Sequence, residues 1–293
     1  MKTFGKDNNS SMSVTINNKS NLRNIILLLL LIALSVVFLA PIFIVLMNSF
    51  KGKLFISDAP FKLPTAETFV GLNNYINGMN KIGFIKAFGY SLFITVFSVI
   101  AIVLFTSMTA WYITRVKNKV TTGMYYLFVF SMIVPFQMVM FTMTKVVNVL
   151  KLDNPLGIII VYLGFGAGLS VFMFSGFVKS IPIEIEEAAL IDGCNPIQIF
   201  FIIVLPILKP ITITVAILNA MWIWNDYLLP YLTIGTEYKT IPIAIQYLQG
   251  GYGSIDMGAM MAMLVLAIVP IVIFYLTCQK YIIKGVVAGA VKG

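Results

Sequence analysis

The side chains able to do chemistry gather in one stretch. Glu184, Glu186, Glu187 and Asp192 are four of the chain's 11 acidic residues, and they run up to Gly193. Carboxylates can act as acids, bases or metal ligands when other groups converge on them, but the chain has no histidine and only two cysteines, Cys194 and Cys278. That removes histidine-based acid–base catalysis and argues against a Cys/His zinc set or a disulfide framework. No metal site is expected. A Gly-x-x-x-x-Gly-Lys-Ser/Thr phosphate loop is also missing, so any ATP must be bound by another chain. The chain is therefore expected to do no covalent chemistry alone.

The element that positions these carboxylates is Ile181 to Pro210, IPIEIEEAALIDGCNPIQIFFIIVLPILKP. Pro182 suits the first turn of a helix, and the three glutamates place negative charge near its positive end. Gly193 can take the left-handed conformation that stops it. Asn195 and Pro196 form a new cap and first turn, after which Ile197, Phe200, Phe201 and Val204 recur at the spacing of one helical face. Pro206 and Pro210 then bend or stop this second helix. The expectation is two short helices joined by a glycine elbow.

Around the elbow the chain is 59% hydrophobic and 11% charged, with mean hydropathy +0.96, too apolar for a domain wetted on its outer face. Ile25 to Met47 is a nearly pure apolar run, and about 23 residues suffice to cross about 30 Å of hydrocarbon. Phe88 to Ile113, Gly123 to Thr142, Leu156 to Val178, Ile207 to Trp224 and Met257 to Cys278 read the same way. Backbone groups in lipid must be satisfied within each span, so the fold is all-α with six transmembrane helices and the elbow between spans four and five. Residues 1–24 form a polar tail, 25–47 the first span and 48–87 a turn-rich loop; 84–279 hold the remaining spans and 280–293 a second tail.

Net charge is +9, but the basic residues lie between spans and not in a stripe for nucleic acid. Lys19, Arg23, Arg115, Lys117, Lys119, Lys179, Lys209, Lys280, Lys284 and Lys292 fall on one side, and Lys145, Lys151, Lys239 and five lysines of the long first loop (Lys51, Lys53, Lys62, Lys81 and Lys86) on the other. Long loops carry less topological weight, so the positive-inside rule assigns the first side to the cytoplasm. Both termini and the elbow are then cytoplasmic, and the loop 48–87 is extracytoplasmic.

A short helical pair on the cytoplasmic side has two readings: a helix lying in the lipid interface, or a docking element for a cytoplasmic partner. An interfacial anchor is expected to be rich in Lys and Arg, whereas this one opens with three glutamates, which favours a protein groove. The pattern Glu187-Ala188-Ala189, Asp192-Gly193 and Ile203-Val204-Leu205-Pro206 resembles the EAA motif of bacterial ABC importer permeases. Trp222-Ile223-Trp224-Asn225-Asp226-Tyr227, Thr240-Ile241-Pro242 through Gln249-Gly250-Gly251-Tyr252, and the ending Gly289-Ala290-Val291-Lys292-Gly293 resemble the carbohydrate branch, in particular its maltose-type, MalG-like subunit.

That resemblance implies a cell-membrane permease subunit for a sugar or oligosaccharide. It implies a second, MalF-like permease, two copies of a cytoplasmic ATPase that bind the ATP and magnesium, and an extracytoplasmic sugar-binding protein, a lipoprotein in a Gram-positive cell. It places Glu187, Ala188, Ala189, Asp192, Gly193, Ile203, Leu205 and Pro206 at the ATPase contact, and the segment from Thr240 to Tyr252 against the binding protein.

Polar residues within or ending the spans, Gln137, Asn219, Trp222, Asn225 and Asp226, are candidates for lining a translocation path. Interhelical hydrogen bonding competes for Asn219 and for Ser91, Thr95, Ser98 and Thr106, and Trp collects at membrane interfaces whatever the function. Gly164, Gly166 and Gly168 suit close helix packing. The rival functions are an ion-driven secondary transporter, which would be expected to carry ionisable residues inside its spans, and a membrane enzyme, which would need a convergent acidic cluster or histidine.

Overall fold

A computed structural model describes residues 18–235, 237–248 and 256–290. The polar tail up to residue 17, Gln249–Tyr252 of the expected binding-protein loop and the final Val291-Lys292-Gly293 lie outside the described residues. Among the described residues fourteen α-helical segments follow one another, with no strand beyond one isolated bridge between Lys51 and Phe69.

Four helices are long and apolar enough to cross a bilayer: α1 (Asn18–Asn48) from Arg23, α4 (Phe84–Arg115), α7 (Gly157–Val178) and α14 (Met257–Ala290) as far as Gln279. Their surfaces are built for lipid. Phe38 on α1 is 74% exposed and most of its apolar neighbours more than half so, an arrangement that water would penalise. Between α1 and α4 the loop holds α2 (Lys53–Asp58) and α3 (Asn73–Ile82). Asn74 Nδ2 donates to the Ser49 and Lys51 carbonyls, each at 2.8 Å, and fastens α3 to the end of α1.

The third expected span, Gly123 to Thr142, is not one straight helix. α5 (Lys119–Ser131) and α6 (Phe136–Val149) meet at a 109° bend. Pro135 supplies the reason: it has no N–H to continue the α5 ladder, its φ is fixed, and it stands as the N-cap of α6 with extended ψ 136. α5 packs flat on α7 because Gly168 brings the backbones together; a Cβ there would come within 2.6 Å of Ser131 Oγ. Gly166 makes the same close approach to Ile102, whereas Gly164 faces open space.

The elbow consists of α8 (Glu184–Ile191), then α9 (Pro196–Gln198), a π-helical turn Ile199–Val204 and α10 (Leu205–Ile207). A 78° bend at Leu208 leads into α11 (Lys209–Asn225), which covers the fifth expected span and has Pro210 in its first turn. α12 (Leu228–Thr233) and α13 (Ile241–Gln246) follow. Buried side chains of α4, α7, the elbow and α11 form one core at the elbow end, including Ala110, Phe174, Ile181, Ala189, Phe200, Val204 and Leu208. A second joins α4, α11, α13 and α14 at the opposite end through Phe84, Trp224, Ile241, Ala244 and Met263. α14 continues as helix to Ala290, so most of the expected second tail prolongs the sixth span.

Candidate functional site

The elbow is built by local chemistry. Pro182 stands outside α8 instead of in its first turn; Ile183 is the N-cap, and Glu184, Glu186 and Glu187 follow in the first turn. At the other end Gly193 adopts φ +86. Its N–H donates to the Leu190 carbonyl, and the Cys194 N–H donates to the Ala189 carbonyl, both at 3.0 Å. This pair of bonds closes a helix over a left-handed residue. Nothing lies within 4 Å of where a Gly193 Cβ would stand, so any other residue meets backbone strain and no clash. Asn195 Oδ1 then accepts from the Gln198 N–H and Gln198 Oε1 from the Asn195 N–H, both at 2.9 Å, which starts the next helix.

That next helix does not bury the face expected of it. Phe200 and Val204 are buried, but Ile197 is 68% and Phe201 43% exposed, while Ile199 and Leu208 join the core. The π-helical turn Ile199–Val204 is the cause: each of its turns is wider than 3.6 residues, so the stripe at i, i+3, i+4, i+7 rotates off the core.

Among the motif residues, Glu187, Ala188, Asp192 and Gly193 are exposed, Ala189 is buried, Ile203 and Leu205 are half-buried, and Pro206 is exposed. Leu190, 54% exposed, and Ile191, 87% exposed, extend the open surface. The elbow thus shows an apolar surface with acidic residues on it and holds an inner face against the spans.

Glu186 belongs to that inner face. It is 6% exposed. Arg115, in the last turn of α4, donates to Glu186 Oε1 through Nε at 2.8 Å and Nη2 at 2.7 Å, and through Nη2 to the Ile181 carbonyl at 3.0 Å. Trp111 Nε1 donates to Glu186 Oε2 at 2.9 Å. Sequence reasoning counted Arg115 as a topological charge and did not single out Trp111. The available signal was their i, i+4 spacing at the end of a span, which stacks both side chains on one helix face.

The candidate path residues do not come together in one cluster. Asn219 is 5% exposed, and its Nδ2 donates to Ser170 Oγ at 3.1 Å and to the Val215 carbonyl at 2.9 Å, an interhelical bond between α11 and α7. Gln137 is exposed on the first turn of α6, beyond the bend. Trp222 packs edge-on against Tyr162 at 5.4 Å, and Tyr162 donates to Asp226 Oδ2 at 3.1 Å. Asp226 Oδ1 accepts from the Leu228 N–H at 3.1 Å and from the Leu229 N–H at 3.4 Å, which starts α12. Asn225 is exposed and bonds its own helix at Met221. On α4, Ser91, Thr95, Ser98 and Thr106 are all buried.

A cleft of about 630 Å³ between α4, α11 and α14 is lined by Phe88, Val96, Ala220, Trp224, Pro270 and Phe274 among other residues. Only Thr95 and Thr277 among its lining side chains carry a hydroxyl, so the cleft suits hydrocarbon better than a hydroxyl-rich solute.

The chain is 40% identical over 94% of its length to the probable starch degradation products transport system permease protein AmyC of Thermoanaerobacterium thermosulfurigenes, covering 99% of that protein. It is 35% identical over 88% of its length to the multiple sugar-binding transport system permease protein MsmG of Streptococcus mutans, covering 93% of it. The crystal structure of a bacterial ABC transporter that imports the acidic polysaccharide alginate contains a chain of the same fold, with a TM-score of 0.74 at 22% identity over 90% of this chain and 98% of that one. Residues 102–287 match the model for binding-protein-dependent transport system inner membrane components, a region that runs from the middle of α4 through the elbow into α14, and the chain belongs to that family.

Proposed function

We propose that the chain is half of the translocation path of an ATP-driven importer for a sugar or oligosaccharide, and that its elbow carries the drive from a cytoplasmic ATPase. Family membership makes it a non-catalytic membrane component that works with a binding protein and partner subunits, and sets aside the ion-driven reading. The sugar class is supported by relatives named for starch degradation products, for multiple sugars and for melibiose, raffinose and stachyose.

One observation carries the coupling: α8 and its C-cap present Glu187, Ala188, Leu190, Ile191 and Asp192 outward while Glu186, Ala189, Phe200 and Val204 hold the elbow to the span ends. A surface so apolar and acidic is poorly matched to anionic lipid and well matched to a protein groove. A MalF-like second permease, two ATPase copies and an extracytoplasmic binding protein complete the assembly, with elbow and both termini cytoplasmic. An apolar cleft inside the single chain is a poor sugar path, and the seam between two permeases is the path proposed. The test is reconstitution in proteoliposomes. The chain alone is expected to hydrolyse no ATP, and hydrolysis with its partners is expected to rise with sugar-loaded binding protein. Hydrolysis by the isolated chain, free of contaminating ATPase, would overturn the assignment.

A further inference from the structure

Glu186 and Glu187 are adjacent, yet their surroundings are opposite. Glu187 is exposed, as the docking reading requires, whereas both oxygens of Glu186 are taken by side chains of α4. A carboxylate so enclosed has no free oxygen to offer an ATPase. It binds α8 to α4 through Arg115 and Trp111, one turn apart on the same face.

α4 has a buried polar fastening at each end. At the Arg115 end it holds the elbow. About 24 residues away, or roughly 36 Å at 1.5 Å per residue, Ser91 Oγ accepts from the Ile241 N–H at 2.8 Å. Ile241 opens α13, is 1% exposed, and begins the segment leading to Gln249–Tyr252. Ser91 is 3% exposed. A continuous helix of 32 residues with no internal proline has no break at which to absorb displacement.

We infer that Glu186 is a positioning residue: through Arg115 and Trp111 it fastens the elbow to α4, and α4 carries elbow displacement across the membrane to the Ser91–Ile241 bond and so to the face presented to the binding protein. This rests on the proposed docking of an ATPase at the elbow and adds the route by which that docking reaches the far side. The ion pair transmits in both directions, since a mechanical linkage between two sites is reciprocal in free energy.

The experiment uses the full complex in proteoliposomes. The probe is whichever of maltose to maltopentaose, melibiose or raffinose wild type takes up fastest; no uptake of any of them, or no ATPase held by wild type, would count against the functional reading itself. In Glu186→Gln, which keeps shape and removes charge, the ATPase is expected to co-purify at wild-type level and hydrolysis to continue. Stimulation by loaded binding protein should be lost, and uptake per complex should fall roughly tenfold. Trp111→Phe, which keeps the ion pair, should fall between Glu186→Gln and wild type. The exchanged pair Glu186→Arg with Arg115→Glu should recover stimulation that each single reversal loses. Wild-type stimulation and uptake in Glu186→Gln would overturn the inference. So would loss of the ATPase from both Glu186→Gln and Trp111→Phe, because Glu186 would then be part of docking or folding and not of transmission.

Discussion

Tyr162 donates its hydroxyl to Asp226 Oδ2 across 3.1 Å and thereby ties the second turn of α7 to the residue that ends α11. The same carboxylate starts α12 through the Leu228 and Leu229 N–H groups. The two partners therefore differ in what they lose on substitution. Tyr162→Phe removes one interhelical bond, for which membrane proteins show about 0.6 kcal/mol on average and about 1.7 at most. Asp226→Ala removes that bond and the cap, and leaves the fully buried Tyr162 hydroxyl unpaired, a further penalty of about 1–3 kcal/mol. Thermal unfolding of the purified chain should show the larger drop for Asp226→Ala. Equal drops would mean that neither the cap nor the unpaired hydroxyl costs anything.

At the start of the sixth span, Lys81 on α3 forms an ion pair with Asp256, whose Oδ1 also accepts from the Ala259 N–H near the start of α14. Partial burial pushes the Asp256 carboxyl up, but the Lys81 ammonium and the Ala259 N–H outweigh it and hold the group below its ordinary value. A depressed carboxylate adds stability at neutral pH, and that share is lost as pH falls through the lowered folded value. Lys81 is 56% exposed, so solvent screening limits the effect to under about 1 kcal/mol. Hydrogen exchange at the first amides of α14, corrected for intrinsic rate, should quicken only in that acid range. In Lys81→Met the pH dependence should shrink. An unchanged profile there would remove the ion pair as the cause.

The helices were legible where apolar length alone decides, as in Ile25 to Met47 and Leu156 to Val178. Direction was not. The run from Gly123 to Thr142 stays apolar through Pro135, and hydropathy carries no information on the 109° turn taken there. The elbow was readable because Gly193, Asn195 and Pro196 act through local backbone chemistry. Its buried face was not, because a 3.6-residue period cannot foresee a π-helical turn. Glu184, Glu186 and Glu187 look alike in sequence, and only the fold brings Arg115 and Trp111 to the middle one.

Orientation can be read from the native thiol on the elbow. Cys194 is half-buried beside Ala189, accessible enough to react when the reagent shares its side. In a Cys278→Ser background, a membrane-impermeant maleimide should leave Cys194 unlabelled in intact cells and label it in inverted vesicles. Labelling of an active complex from outside would invert the topology and move the elbow away from any cytoplasmic ATPase.

Gly193 and Glu187 test the outward face by different physics. With φ +86 and open space around the missing Cβ, Gly193→Ala should cost about 1–2 kcal/mol of backbone strain, and Gly193→Val more, since a β-branched residue tolerates that region least. The strain falls on the turn between α8 and α9, outside the spans, so insertion should survive while α9 is misdirected. Glu187→Lys leaves the backbone alone. Its side chain is exposed in the first turn of α8, where a carboxylate is worth about 0.3–1 kcal/mol, too little for its loss to unfold the chain. Both variants should reach the membrane at wild-type abundance, and both should lose co-purifying ATPase together with uptake, unlike Glu186→Gln, in which uptake should fall while the ATPase stays. If Gly193→Val and Glu187→Lys held the ATPase and transported at wild-type rate, the elbow's outward surface would meet lipid and not a motor.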